Sequence, residues 1–195
     1  MARISYVAPE EISDPEVRGW LEESIERGRP GPENQSIRAH QPDVMRAFTL
    51  TRKLLFNKKT DAGVVETDLK ELTRYFIARS LNCEYWSNQG SAREAKQDPT
   101  NRLNDLEHYA TSDRFTQREK VALRYTDAIL WNPALADDAL WAELHEEFTE
   151  PEIVELGYWA GFTSGGQRWL HTLHTQQGEL AAYIEERKVA DKETV

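Results

Sequence analysis

Leu69, Leu72, Tyr75, Phe76, Ala78 and Leu81 recur at helical spacing over one short stretch of the chain, giving an apolar surface too wide for a helix with one wet face. Such a segment belongs at the centre of a helical layer, with Thr67 as its expected N-cap and Asn82 as its C-terminal stop. Glu71 lies near its head. Cys83, the only cysteine among 195 residues, follows its end at once. A further helix is expected from Cys83 through Ala92, Ala95 and Lys96 to Asp98-Pro99. That register puts the thiol at a helix N-terminus, where the backbone dipole favours a thiolate.

The flanking sequence is helical in the same sense. Ser13-Asp-Pro-Glu16 has capping-box spacing and opens a helix with Val17, Trp20, Leu21 and Ile25 on one face. The Pro and Gly density of Gly28-Arg-Pro-Gly-Pro-Glu-Asn34 predicts a loop rather than a regular element. Pro42 starts a second helix that runs to Asn57-Lys58-Lys59. Beyond the central helix, Arg102 to Tyr109 reads as a short helix, and Thr116-Gln-Arg-Glu119 is a capping box leading to a stop at Asn132-Pro133. Asp137 to Phe148 forms the next helix. Thr149-Glu-Pro-Glu152 then caps a long one from Ile153 to Leu173, in which Gly161 and Gly165-Gly166 mark a close helix contact or a bend. The last helix spans Glu179 to Arg187. No alternating β-branched run bounded by turn residues supplies material for a sheet. The expectation is an all-α single domain over residues 1–195, with an N-terminal arm at 1–12 and a frayed tail at 188–195.

Composition removes several classes of function. A formal net charge of −10 repels a polyphosphate backbone, and no basic stripe interleaved with aromatics opposes it, so nucleic acid is excluded as a partner. No apolar run reaches the ~18 residues of a membrane span, and the start carries Glu10 and Glu11 in place of a secretory core, which reads as cytoplasmic. One cysteine forms neither an internal disulfide nor a thiolate-rich zinc site. Any thiol chemistry runs through Cys83.

The segment from Glu71 to Cys83-Glu-Tyr-Trp86-Ser-Asn-Gln-Gly90 resembles the signature of the alkylhydroperoxidase D-like, or carboxymuconolactone decarboxylase, family. In that signature a helix carrying a Glu runs into Cys-x-x-Cys, with a His four residues later. The Val7-Ala-Pro-Glu-Glu11, Arg46-Ala-Phe48, Glu119-Lys-Val-Ala-Leu-Arg-Tyr and Phe148-Thr-Glu-Pro-Glu152 segments are similar to its longer single-domain members. The resemblance implies an all-α bundle of the alkylhydroperoxidase D type that assembles into homo-oligomers, and no cofactor is expected. It makes Glu71 the relay acid and Cys83 one of two redox cysteines. Trp86 stands where the second cysteine belongs and Gly90 where the histidine belongs, so an intramolecular dithiol cycle is excluded.

Three readings follow. Cys83 is a single peroxidatic thiol whose sulfenic acid an external thiol reductant resolves; or the pocket does nonredox, decarboxylase-like acid–base chemistry on a small aromatic-derived acid; or the chain binds a ligand or assembles without catalysis. His171 and His174, neighbours on one helix face, are candidates to replace the missing histidine, His171 as a catalytic group and His174 on the substrate. Two histidines fall short of a zinc site, and no metal is expected. Arg168 is a candidate clamp for a substrate carboxylate, and Tyr85 and Trp86 are candidate substrate contacts. The plain alternatives are a buried Cys83 acting as a small hydrophobe, Glu71 as a solvated charge or an Arg74 partner, surface or core histidines, Arg168 paired with a glutamate, and six tryptophans that are mostly core.

Overall fold

The computed structural model describes residues 2–56, 63–82 and 102–193, with side chains through Val189. Among them there are eight α-helices and no strand. These are α1 (Pro15–Arg27), α2 (Pro32–Arg38), α3 (Pro42–Leu55), α4 (Thr67–Ser80), α5 (Gln117–Trp131), α6 (Asp138–Glu147), α7 (Glu150–Leu173) and α8 (Glu179–Glu193), with 3₁₀ turns at Pro9–Glu11, Arg102–His108 and Pro133–Leu135. The all-α expectation holds. The helix expected to start at Cys83 lies outside the described residues.

The ends of the helices show which local signals won. Asp14, not Ser13, caps α1: its carboxylate accepts from Glu16 N and Val17 N at 3.0 and 3.1 Å, and Pro15 occupies the first helical position, where no N–H is needed. Gly28, at φ +65°, closes the helix in the left-handed region. The expected loop that follows is corrected: Pro32 begins α2, because a proline that breaks a helix interior suits its first turn. Thr67 is the first residue of α4 and Glu66 its cap, whereas the Thr116–Glu119 box before α5 is formed as expected. The Arg102 segment is 3₁₀ rather than α, and α8 continues past Arg187 to Glu193.

The chain divides into two compact units, residues 1–52 with 169–195 and residues 53–168. In the first, α1 packs on α2, and α2 on α8, around Tyr6, Val17, Leu21, Ile37, Met45 and Leu180. In the second, α4 packs on α5, and α5 on α6, around Leu72, Phe76, Leu106, Leu123, Leu144 and Leu156. A methyl group on Gly157 of α7 would sit 2.9 Å from the Tyr125 hydroxyl, so the close approach is there. At Gly161, Gly165 and Gly166 nothing lies within 4 Å of that position among the described residues, so of the two readings, a close contact and a bend, the contact is not made there. The tryptophans are also less internal than expected: Trp159 is fully buried, while Trp131, Trp141 and Trp169 are exposed. No helix among the described residues is long and apolar enough to cross a membrane.

Candidate active site

Helix α4 is buried on nearly every side, including its charged positions Lys70, Glu71 and Arg74. A buried charge persists only with a partner and enough hydrogen bonds to replace its water. Each of these has one.

Glu71 accepts from Arg74 Nε at 2.6 Å, one helical turn along, and both residues are less than a tenth exposed. Of the two plain alternatives for Glu71, a solvated charge and an Arg74 partner, the second is the one found. The Arg74 guanidinium lies 4.2 Å from the centre of the Tyr75 ring, a cation–π contact that limits its swing. The Arg74 carbonyl accepts from Gln167 Nε2 of α7 at 3.4 Å, and the other amide atom, Gln167 Oε1, is buried with no hydrogen-bond partner.

Lys70, fully buried, points to a different place. Its Nζ donates to Glu155 Oε1 of α7 at 2.7 Å and to the Leu55 carbonyl at 2.5 Å. The Glu155 carboxylate also accepts from Val64 N at 2.6 Å and Val65 N at 3.2 Å. Gly63 makes that cradle possible: its φ is +91°, and a Cβ there would stand 2.2 Å from Glu155 Oε1. Trp159 Nε1 donates to the Lys70 carbonyl at 3.0 Å, and its ring stacks on Phe56 at 4.9 Å. Together these contacts fix the rotation and height of α4, and hence of Glu71.

Helix α4 ends as the sequence implies. Leu81 N bonds back to the Ile77 carbonyl at 3.0 Å, and Asn82 takes φ +48°, the left-handed stop. Cys83, Tyr85, Trp86 and Gly90 fall outside the described residues. Arg168, on α7 in the second unit, is exposed; its Nη2 donates to the Leu130 carbonyl at 2.9 Å, and its guanidinium lies 5.2 Å from the Trp131 ring centre. It caps the end of α5, and among the described residues it pairs with no glutamate. His171 and His174 belong to the first unit and are both exposed. His171 is in the last turn of α7, and His174, at φ +52°, has left the helix, with its N–H on the His171 carbonyl at 3.4 Å. Among the described residues no group of three or more His, Cys, Asp or Glu side chains is placed to hold a metal ion.

Sequence reasoning missed Lys70, Glu155 and Gln167. Glu71 and Arg74 could be paired from their i, i+3 spacing. Lys70 and Glu155 are 85 residues apart, and no local pattern joins them.

No protein-family model matches the chain. Two uncharacterized proteins of Mycobacterium tuberculosis, from strains CDC 1551 and H37Rv, are each 37% identical over 54 residues. That match covers 28% of this chain and only 19% of those longer proteins. Solved structures resemble it over far more of its length. One, described as an alkylhydroperoxidase AhpD core and an uncharacterized peroxidase-related protein from Ralstonia eutropha JMP134, superposes with a TM-score of 0.71 and 16% identity, covering 90% of this chain and 92% of that one. Another, a cysteine-to-alanine variant of the debrominase Bmp8 in complex with 2,3,4-tribromopyrrole, gives a TM-score of 0.69 and 19% identity over 95% of this chain and 99% of that one. The fold is that of the alkylhydroperoxidase D core.

Proposed function

We propose that the chain is a single-cysteine thiol enzyme on the alkylhydroperoxidase D fold, with Cys83 as nucleophile, Glu71 as proton relay and a hydroperoxide as oxidant. One observation carries the reading. A buried glutamate, held by Arg74, sits in a helix whose left-handed stop at Asn82 is followed directly by the only cysteine.

The chemistry follows from having one thiol. The Cys83 thiolate attacks the outer oxygen of ROOH; the S–O bond forms as the O–O bond breaks, and the alkoxide leaves with a proton as ROH. The sulfenic acid has no second cysteine in the chain to meet. An external thiol condenses with it, releasing water and leaving a mixed disulfide, and a second external thiol frees Cys83 and departs as the symmetric disulfide. Glu71 relays the protons of the first step, and Arg74 supplies the countercharge that lets it stay buried. Tyr85, Trp86, Arg168 and His174 remain proposed substrate contacts, and His171 a proposed second acid–base group.

The test is mass spectrometry of the reduced, folded protein after one equivalent of tert-butyl hydroperoxide, with dimedone to trap sulfenic acid. The expected result is one dimedone adduct on the Cys83 peptide, none in Cys83→Ser, and formation slowed about 10²-fold in Glu71→Gln, as for a lost general acid–base group. An unmodified Cys83 under native conditions overturns the reading.

A second reading is favoured by the likeness to a debrominase whose structure holds a brominated pyrrole and a substituted cysteine. In it, the same thiolate takes bromine from an electron-rich ring, the ring carbon takes a proton, and external thiol reduces the sulfenyl bromide to release bromide. Bromide release from 2,3,4-tribromopyrrole with thiol present, without peroxide turnover, would select it. Turnover of aromatic ring-cleavage acids by the Cys83→Ser protein would instead select the nonredox reading.

A further inference from the structure

Gln167 of α7 lies against the residue that holds Glu71. It is 4% exposed, and its Nε2 donates to the Arg74 carbonyl at 3.4 Å. Arg74 therefore meets Glu71 through its guanidinium and Gln167 through its backbone, within one turn of α4. The other amide atom, Oε1, is buried and has no hydrogen-bond partner. Reversing the amide does not help, since Oε1 would then meet the Arg74 carbonyl oxygen, acceptor against acceptor.

Packing of α7 on α4 does not require that acceptor. Two turns earlier on α7, Trp159 Nε1 donates to the Lys70 carbonyl at 3.0 Å, one turn back along α4. The indole has one polar atom, a donor, and it is used. Gln167 makes the same kind of contact but brings an acceptor as well, and an acceptor buried without a donor destabilises the fold. The four residues before it, Thr163-Ser-Gly-Gly166, are all small. Gly166 is half-buried, and among the described residues nothing lies within 4 Å of where its Cβ would be. A helical side chain leans back over the preceding turn, so the Gln167 amide lies over these small residues, which leave room for a compact molecule.

We propose that Gln167 is a substrate-binding residue, whose Oε1 accepts a hydrogen bond from the O–H of the hydroperoxide that Cys83 reduces.

This role rests on the peroxidatic reading of Cys83 and gives it a substrate class: peroxides that keep a hydrogen on the oxygen under attack. That hydrogen does not move in the first step. The thiolate takes the outer oxygen with its hydrogen, forming S–OH as the O–O bond breaks, and the alkoxide collects its proton at the inner oxygen by way of Glu71. Gln167 is neither protonated nor oxidised; it orients the outer oxygen through its hydrogen while the acid serves the other end. A neutral amide suits that position. A carboxylate there would compete with Glu71 for the Arg74 charge and for the proton.

The test is Gln167→Met, which removes the acceptor at nearly constant volume, read with two reagents on the full chain. One is tert-butyl hydroperoxide, with dimedone trapping the sulfenic acid. The other is methyl methanethiosulfonate, which reacts with the same thiolate but has no O–H or N–H to donate. Mass spectrometry of the Cys83 peptide over time gives both rates. In the variant, oxidation by the hydroperoxide should be about tenfold slower, as for one lost hydrogen bond, and the thiosulfonate rate should be that of the parent. Its melting temperature should match or exceed the parent's, because the substitution removes a buried acceptor that nothing in the free chain satisfies. Equal hydroperoxide rates in parent and variant overturn the proposal. So does equal slowing with both reagents, or a melting temperature well below the parent's, since either makes the amide a packing group. A parent whose Cys83 takes the thiosulfonate but no hydroperoxide overturns the peroxidatic reading itself, and this proposal with it.

Discussion

The two units bury polar groups by different means. In the second unit, α4 sets charge against charge: Lys70 on Glu155 and Glu71 on Arg74, at 2.7 and 2.6 Å. In the first, α2 is just as buried from Glu33 to Arg38, yet several of its contacts are with neutral partners. Ser36 Oγ donates to the Val7 carbonyl and accepts from Val7 N, both at 2.8 Å; Glu33 accepts from Gly178 N at 2.7 Å; and Arg38 donates to Gln35 Oε1 at 2.8 Å, with its guanidinium 3.8 Å from the centre of the Phe48 ring. A neutral latch loses one or two hydrogen bonds when cut. Cutting an ion pair strands a charge, which costs far more. The ion pairs of α4 should therefore be more sensitive to removal of a single side chain than the neutral Ser36 latch of α2.

The largest effect should come from Lys70→Met. Two backbone N–H groups would remain on the Glu155 carboxylate, but no Nζ, and an uncompensated buried charge costs about 3–5 kcal/mol. Urea unfolding measures it. A loss below about 1 kcal/mol would erase the contrast between the units. Joint replacement of Lys70 and Glu155 by Met should recover part of the loss, since it removes both charges but leaves Val64 N and Val65 N without their acceptor.

Gly63→Ala should come next, at about 2–3 kcal/mol, because it combines a left-handed φ with a clash against the carboxylate it cradles. In the first unit, Ser36→Ala should cost less, about 1–2 kcal/mol, by leaving both polar groups of Val7 unpaired. Its effect should also be the same in low and high salt, as no charge is involved. If Ser36→Ala costs as much as Lys70→Met, the two strategies are energetically equivalent and the comparison fails.

How much of this was legible follows from the range of each signal. The Asn82 stop and the Thr116–Glu119 capping box depend on residues within four positions of each other, and both formed as read. Helix α2 was missed because proline and glycine mean opposite things in a helix interior and at its start, and the local composition does not say which applies. The Lys70–Glu155 pair was beyond reach, since it exists only once α4 and α7 meet. Gly157 was overlooked in favour of Gly161 for the same reason: a glycine's neighbour is a tertiary fact, here Tyr125. At the candidate site, Glu71 was identified by motif position alone, and its partner by helical spacing.

The smallest effects should be those of titration, and they differ in sign within the second unit. Burial pushes the Glu152 carboxyl up, but hydrogen bonds from the Thr149 backbone and hydroxyl and the Arg118 guanidinium outweigh it and hold the group below its ordinary value of 4.5. A depressed carboxyl contributes stability that is complete above its unfolded value and disappears as pH falls through the folded one. Burial raises Asp127 above 3.8 with no such compensation, so it detracts from stability once pH climbs past its folded value, and detracts nothing below the unfolded one. Urea midpoints measured from neutral pH down to acid should therefore separate two conservative variants. Glu152→Gln should be weaker than the parent at pH 7 and converge on it in acid. Asp127→Asn should be stronger at pH 7 and converge from the other side. Parallel curves for the two variants would mean that these carboxyls do not titrate differently in the folded and unfolded chains.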